Sequence, residues 1–355
     1  MKNILISTGG SGGHTVPAKI FYEHLKKDFN LFMSSDERGI KFLDKEKYSI
    51  KIINAPKISK NIILLPVQIF SLIGLFFKSF FFLKNKRIEI LISTGGYMSL
   101  PLCLASKLLN IKLFLFEPNM VLGRSNRFFI KNCVKIFCYS EKIKNFPNKF
   151  VDKIFIIPTL LRKEFYNIKK TEINDKDVNL LIIGGSQGAQ SFDVMVQSSI
   201  IDLSKKYKFN VYQQTNEKNF QNLKLFYQAN EIEYELFDFN ENISVLMNKV
   251  NICLTRAGAS TLAELVFLNI PHLVVPLPTA KDNHQFENAS FYNQHGCNWI
   301  LNQNEINDTN LTNKLSNIID NKEEYLDKKI NMKNFSYQNT WNNINQKIIS
   351  IINEN

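Results

Sequence analysis

The chain has 355 residues, which suits two domains, and its apolar content of 45% excludes a disordered protein. Its five cysteines include no C-x-x-C pair, so we expect reduced thiols in a cytosolic protein rather than a disulfide scaffold. Residues 1–150 hold 24 Lys and Arg against 9 Asp and Glu, whereas residues 151–355 hold 20 against 23. The basic half predicts a polyanionic partner (nucleic acid, anionic lipid headgroups or a diphosphate substrate), unless the charge only keeps the surface soluble.

Short β-branched runs that end in paired glycines recur along the chain. The heptapeptide ILISTGG occurs at 4–10 and again at 90–96, and LLIIGGSQGA at 180–189 repeats the plan. Each run predicts a buried strand, a turn and a helix, the unit of a parallel α/β sheet covered on both faces. Further buried strands are predicted at 251–254 and 272–275, and an amphipathic helix at 337–352.

The apolar segment at residues 62–83 allows three interpretations. It is long enough to suggest a membrane span, but Pro66, Gln68 and Lys78 interrupt it and basic residues flank both ends. A helix lying in the membrane interface, with lysines on anionic headgroups, fits this pattern better than a span. An ordinary core helix of an α/β domain is the remaining alternative.

A polar stretch at 169–179 separates two series of strand–turn–helix units. We therefore predict an α/β fold of two Rossmann-like domains, at 1–165 and 166–335, with a C-terminal helix at 336–355 that packs back on the first domain. The stretch contains a D-x-D at 175–177. Because we expect a solvated linker here, no metal is predicted.

Four polar or glycine-rich segments follow predicted strands. Gly9-Gly10-Ser11-Gly12-Gly13-His14 and Gly184-Gly185-Ser186-Gln187-Gly188 can each cradle an anion at a helix start, although neither has the G-x-G-x-x-G dinucleotide spacing. Glu264 lies just inside a helix, where a carboxylate can bridge ribose hydroxyls, and residues 282–288 gather amide and imidazole groups suited to sugar hydroxyls. Two phosphate cradles with hydroxyl readers indicate a nucleotide-sugar transferase.

In these motifs the chain resembles the MurG family, the peripheral-membrane UDP-GlcNAc transferases of peptidoglycan synthesis. The matching segments are GGSGGHTVPA at 9–18, STGGYMSLPLCLA at 93–105, EPNMVLGRSNR at 117–127, GGSQGAQ at 184–190, TRAGASTLAE at 255–264 and HQFENA at 284–289. The resemblance implies a GT-B fold with its two domains facing across a cleft. It also implies inverting transfer of GlcNAc from UDP-GlcNAc to the 4-hydroxyl of MurNAc in undecaprenyl-diphosphate-linked muropeptide, converting lipid I to lipid II.

The same resemblance assigns roles to individual residues. His14 is the expected catalytic base and Glu117 its rival. The implied donor contacts are Ser11, Gly12, Gly13, Asn119, Arg162, Ser186, Gln187, Asn240, Ala259, Ser260, Thr261, Leu262, Ala263, Glu264, His284 and Gln285. The implied acceptor diphosphate contacts are Gly10, Ser11, Gly12, Gly13, Gly95, Gly96 and Tyr97.

The resemblance further implies a peripheral location on the cytoplasmic face of the inner membrane. Its implied partners are UDP-GlcNAc, lipid I, anionic lipids and other cell-wall synthesis proteins, with no cofactor, metal or nucleic acid. The chain departs from the family pattern at Arg162, which matches only with a shift, and at Pro118, where the family has Gln. The competing functions are a UDP-hexose transferase acting on a membrane lipid such as diacylglycerol, a nicotinamide- or flavin-dependent Rossmann oxidoreductase, and a basic membrane-surface or nucleic-acid-binding protein without catalysis.

Overall fold

The computed structural model describes residues 1–44, 46–54, 65–169, 177–185, 189–240 and 242–355. By its internal contacts the chain divides into two compact units. The first comprises Met1–Arg162 together with Trp341–Asn355, and the second comprises Lys163–Thr340.

The first unit contains a seven-stranded parallel sheet in the order β3-β2-β1-β4-β5-β6-β7. Its strands are β1 Asn3–Ser7, β2 Asn30–Ser35, β3 Ile50–Ile52, β4 Ile90–Ser93, β5 Lys112–Glu117, β6 Lys135–Cys138 and β7 Ile154–Ile156. Its helices are α1 Gly12–Leu25, α2 Leu65–Asn85, α3 Ser99–Leu108, α4 Arg124–Phe129 and α13 Trp341–Glu354. The chain order reverses between β1 and β4, the point at which open α/β sheets place their ligands.

The second unit contains a six-stranded parallel sheet in the order β10-β9-β8-β11-β12-β13. Its strands are β8 Asp177–Ile183, β9 Lys208–Gln214, β10 Glu233–Phe237, β11 Ile252–Thr255, β12 His272–Val274 and β13 Trp299–Ile300. Its helices are α5 Phe192–Met195, α6 Gln197–Ser204, α7 Phe220–Ala229, α8 Ile243–Met247, α9 Ala259–Phe267, α10 His284–Gln294, α11 Asp308–Asp320 and α12 Lys322–Phe335. The predicted class of two parallel α/β sheets is confirmed.

The two copies of the repeated heptapeptide pair with each other residue for residue. Ile4 lies opposite Ile90 and Ser7 opposite Ser93 in the parallel ladder between β1 and β4. These strands are buried because helices cover the sheet. The glycine pairs that end both copies therefore emerge side by side at the carboxyl edge of the sheet.

The C-terminal helix α13 packs on the first unit through one apolar face. Ile344, Ile348 and Ile352 are fully buried. The Trp341 ring stacks on His24 of α1, with centroids 3.7 Å apart and an interplanar angle of 21°. The i, i+4 spacing of the isoleucines explains why this face is inside.

Helix α2 is buried on one side only. Ser79 and Leu83 are buried, whereas Phe70, Phe77 and Phe81 are exposed. No helix in the described ranges is long and apolar enough to cross a membrane. Residues 62–64 of the apolar segment lie outside the described ranges.

At the start of the second unit the strand begins earlier than the sequence suggests. Asp177 opens β8 and pairs with Lys208 at 3.0 Å. The predicted polar linker at 169–179 therefore overlaps the first three residues of a strand, because an ion pair at the strand end accommodates the charge. Asp175 of the D-x-D lies outside the described ranges.

Candidate active site

The two glycine turns of the first unit are in contact at the carboxyl edge. Gly10, Gly95 and Gly96 have φ angles of +86°, +93° and +85°, a region that favours glycine. A Cβ on Gly95 would lie 3.3 Å from His14 Cε1, and one on Gly96 would lie 3.7 Å from the Gly9 carbonyl oxygen. The second turn thus closes around the imidazole of the first.

His14 is half-buried in the first turn of α1, and its ring is oriented by the main chain. Its Nδ1 lies 2.8 Å from the Thr94 carbonyl oxygen, directly after β4. Because a carbonyl only accepts, Nδ1 carries the proton in this bond, and the neutral ring presents an unprotonated Nε2. The arrangement suits a general base.

Asp36 braces the first glycine loop, a feature that the sequence analysis did not identify. Its Oδ1 accepts from the N–H groups of Gly10 at 2.7 Å and Gly39 at 2.8 Å, and its Oδ2 accepts from Arg38 Nε at 2.8 Å. Burial acts to raise the pKa of Asp36, but these donors together hold it below its ordinary value. The sequence feature that could have identified Asp36 is a carboxylate directly after a parallel strand, at the edge of the sheet where the loops meet.

The hydrogen bonds of Asp36 limit how an anion can bind the first glycine loop. The Gly10 N–H already donates to Asp36, so it is not open to a phosphate in this arrangement. The N–H groups of Gly12 and Gly13 lie in the first turn of α1, where a helix offers no carbonyl partner. Ser11 is the N-cap of this helix, and its side chain makes no capping hydrogen bond. Tyr97, at the mouth of the second turn, is half exposed.

Glu117 is buried at the end of β5 and organises the loop that follows it. Its Oε1 accepts from the backbone and side-chain nitrogens of Asn119, at 3.2 and 3.0 Å. Its Oε2 accepts from Gly123 N at 2.7 Å and from Asn126 Nδ2 at 2.9 Å. Burial raises the pKa of Glu117, against these hydrogen bonds. Four donors on one carboxylate favour a positioning role for Glu117 over proton transfer.

The glycine loop of the second unit follows β8. Gly185 has a φ of +66°, and its N–H donates to Gln214 Oε1 at 3.0 Å. Beyond the loop, the buried Asp193 accepts from Gln213, Thr215 and Asn219, which follow or end the neighbouring strand β9. The predicted donor contacts Ser186 and Gln187 lie outside the described ranges.

Helix α9 begins directly after β11 and contributes the predicted uridine-binding segment. The side chains of Ala259, Ser260 and Thr261 are half-buried in its first turn, whereas Leu262 and Ala263 lie in the core. The Leu262 N–H also donates to the Gly258 carbonyl, at 3.0 Å. Glu264 is 8% exposed. The side chains of the first turn and of Glu264 are therefore the candidates for ligand contact in this helix. The Leu262 side chain points into the core because of the helical periodicity.

Gln285, in the first turn of α10, connects the ends of two strands. Its Oε1 accepts from Ala257 N at 3.2 Å and from Leu277 N at 3.0 Å. Both acceptor positions of the amide are therefore occupied, and only its NH₂ group can serve a sugar hydroxyl. His284 Nδ1 lies 2.8 Å from the Lys281 carbonyl, so the neutral ring presents Nε2.

The remaining predicted contacts lie on loops of their own units. Asn119 is half-buried after β5, and Arg162 is half-buried at the end of the first unit. Asn240 follows β10 and accepts from the Asn242 N–H at 2.8 Å. Within the described ranges, no group of three or more His, Cys, Asp or Glu side chains converges as a metal site.

The two parallel sheets, each with glycines directly after the first strand at its switch point, form two Rossmann-like domains, and the family matches define the class as a glycosyltransferase. Residues 4–138 match the glycosyltransferase family 28 N-terminal domain and residues 179–344 match the family 28 C-terminal domain. The chain is similar over its full length to a solved MurG structure from Acinetobacter baumannii, with a TM-score of 0.78 at 21% identity and 100% coverage of both chains. At that identity the likeness concerns the fold alone.

Sequence relatives define the family more narrowly. A protein of Pelagibacter ubique, named UDP-N-acetylglucosamine–N-acetylmuramyl-(pentapeptide) pyrophosphoryl-undecaprenol N-acetylglucosamine transferase, is 60% identical over 354 residues, covering 100% of this chain and 99% of the relative. A Rickettsia prowazekii protein of the same name is 30% identical, with 94% and 95% coverage. The chain therefore belongs to this N-acetylglucosamine transferase family, the MurG family.

Proposed function

We propose that this enzyme transfers GlcNAc from UDP-GlcNAc to the 4-hydroxyl of MurNAc in undecaprenyl-diphosphate-linked muropeptide. The observation that carries the proposal is the fixed His14 ring between two glycine turns, in a chain 60% identical to a relative named for this transfer. The acceptor oxygen attacks C1 of GlcNAc while the bond from C1 to the UDP oxygen breaks. His14 Nε2 takes the hydroxyl proton, and UDP leaves with inversion at C1.

We assign acceptor activation to the first unit. The first-turn N–H groups of Gly12 and Gly13, with the positive end of the α1 dipole, are suited to the acceptor diphosphate. Asp36 fixes Gly10 and Glu117 fixes Asn119, so both loops are preorganised before the acceptor binds. This assignment makes Glu117 a positioning residue and His14 the base.

We assign donor binding to the second unit. We assign Glu264, in α9, to the ribose hydroxyls, and the NH₂ group of Gln285 to the sugar, since the Gln285 oxygen already accepts from the main chain. Negative charge grows on the departing diphosphate in the transition state. Hydrogen-bond donors oriented toward that diphosphate would therefore lower the barrier.

We also propose that the enzyme docks on the cytoplasmic face of the membrane through α2. Phe70, Phe77 and Phe81 lie seven and four residues apart, on one exposed face of this helix. Lys78 and Lys84 are exposed on the same helix, and the N-terminal half as a whole is strongly basic. An apolar stripe beside lysines fits insertion among anionic headgroups, where a lipid-linked acceptor is found.

The experiment that tests the reaction measures UDP release from UDP-GlcNAc with and without a lipid I analogue. Release that requires the analogue, together with a product that carries GlcNAc on MurNAc, supports the proposal. Turnover with diacylglycerol, or with another UDP-hexose and no lipid-linked MurNAc, would instead indicate a different membrane-lipid glycosyltransferase.

A further inference from the structure

Arg256 is a buried arginine at the carboxyl edge of the second sheet. It follows β11 directly and is 2% exposed. Its Nη1 donates to the Val275 carbonyl at 3.0 Å, and its Nη2 donates to Ser191 Oγ. The guanidinium lies over the Phe192 ring, 4.7 Å from the ring centroid. It therefore connects the ends of β11 and β12 to Ser191, the residue before α5.

This guanidinium has no anionic partner within the described part of the chain. No carboxylate oxygen lies within 4.0 Å of it there, and its Nε is buried without a hydrogen-bond acceptor. Asp193, the buried carboxylate that follows Phe192 in the chain, accepts instead from three neutral side chains. Buried charges in proteins are normally paired, because desolvation of an isolated charge is costly.

Burial lowers the pKa of Arg256 to about 10, which leaves the group protonated at neutral pH. A fixed positive charge without a protein counter-ion is thus held at the switch point between β8 and β11, where the Arg256 N–H also donates to the Ile183 carbonyl at 3.1 Å. An anion bound at this carboxyl edge of the sheet would supply the missing charge.

We propose that Arg256 is a positioning residue for the nucleoside diphosphate, holding the start of α5 through Ser191 and providing counter-charge to the phosphates. The inference rests on the proposed function, in which UDP is the leaving group. The two contributions are separable, since Ser191→Ala removes the tether and keeps the charge, whereas Arg256→Met removes both. In the reaction this charge opposes the negative charge that develops on UDP as the bond from C1 breaks.

The test compares the affinities of UDP and uridine for the wild type, Arg256→Met, Arg256→Lys and Ser191→Ala. We expect Arg256→Met to weaken the affinity for UDP about 10- to 100-fold. The affinity for uridine, which lacks phosphates, should change less than about 2-fold. Arg256→Lys keeps the charge without the planar fork, so its loss should be smaller. Added salt should weaken UDP binding more in the wild type than in Arg256→Met.

His272→Gln is the matched control, because His272 is a fully buried polar residue at the opposite end of β12. The thermal unfolding midpoint of His272→Gln reports how much stability is lost when a buried polar side chain of this unit is altered. An equal loss of affinity for UDP and for uridine in Arg256→Met, or no loss of affinity for either, would overturn the inference. Failure of the wild type to bind UDP at all would instead count against the proposed function.

Discussion

The imidazole Nδ1 of His14 donates to the carbonyl oxygen of Thr94, 2.8 Å away, and this bond joins the helix that follows the first copy of the repeated heptapeptide to the second copy. Thr94 follows β4 as Thr8 follows β1, and the two strands are paired in register. The repeat therefore builds one turn that carries the base and a second that orients it. Removal of the imidazole should affect the chemical step more than donor binding.

We accordingly expect His14→Ala to lower kcat about 10²- to 10⁴-fold, the usual contribution of a positioned general base. The affinity for UDP-GlcNAc should change little, because the donor is assigned to the other unit. His295→Ala is the matched control, since His295 is exposed and its Nδ1 also lies 2.8 Å from a carbonyl, that of Phe291. A kcat for His14→Ala within threefold of the wild-type value would exclude it as the base.

Asp36→Ala should destabilise the first unit. The substitution removes a buried carboxylate that accepts from Gly10, Gly39 and Arg38, and hydrogen bonds to charged groups contribute about 1.5–3 kcal/mol. The unfolding of this unit can be followed by Trp341 fluorescence in a Trp299→Phe background, because the chain has 2 tryptophans and Trp299 lies in the second unit.

The difference in stability between the wild type and Asp36→Ala should depend on pH. The folded-state pKa of Asp36 is depressed below the ordinary value of 3.8, so its contribution is complete above that value and is lost as the pH falls through the folded pKa. The difference in unfolding free energy between wild type and Asp36→Ala should therefore be constant from pH 7 to 5 and shrink near pH 3. A difference that grows in acid would contradict this account.

Gln285→Glu should separate sugar recognition from nucleotide recognition. A carboxylate still accepts from Ala257 N and Leu277 N but cannot donate as the amide does. We expect the ratio of UDP-GlcNAc affinity to UDP affinity to fall about 5- to 10-fold, the value of one hydrogen bond. The ratio cancels any repulsion between the new charge and the diphosphate. Gln294→Glu, exposed at the end of the same helix, should leave the ratio unchanged.

The parallel sheets could be predicted because β-branched runs that end in glycine pairs are compatible with few structures other than a buried strand followed by a turn. The sequence could not show that Asp36 braces Gly10, since that contact joins residues 26 positions apart through a loop return. Hydropathy left the character of the apolar segment open, because it does not register that tertiary packing buries Leu83 and exposes Phe70. Leu262 was grouped with the donor contacts by motif, although helical periodicity turns its side chain into the core.

The exposed face of α2 predicts a membrane-binding defect when its aromatic rings are removed. Phe70→Ser combined with Phe77→Ser and Phe81→Ser should weaken binding to phosphatidylglycerol vesicles at least about tenfold, because three rings lose their insertion energy. Vesicle co-sedimentation measures this directly. Turnover of a water-soluble acceptor analogue should be retained. Phe239→Ser alters a similarly exposed ring in the second unit and is the control. Unchanged sedimentation of the triple variant would refute docking through α2.

The stacked pair of His24 and Trp341 predicts that acid loosens the attachment of α13 to the first unit. Burial lowers the pKa of His24 from 6.5 to about 4, against the opposing effects of its hydrogen bond to Asn345 and of the Glu23 carboxylate. Because the folded state prefers the neutral ring, the stability is complete above pH 6.5. It falls by up to about 3 kcal/mol as the pH drops toward 4, where the unfolded chain binds the extra proton.

His24→Phe retains a ring against Trp341 but cannot take up a proton. In the Trp299→Phe background, the urea midpoint reported by Trp341 should fall between pH 6.5 and 4 less steeply for His24→Phe than for the wild type. Since His272 has a similarly lowered pKa in the second unit, the difference between the two proteins isolates His24. Parallel pH profiles for both proteins would show that the proton is taken up elsewhere and that the stack does not respond to acid.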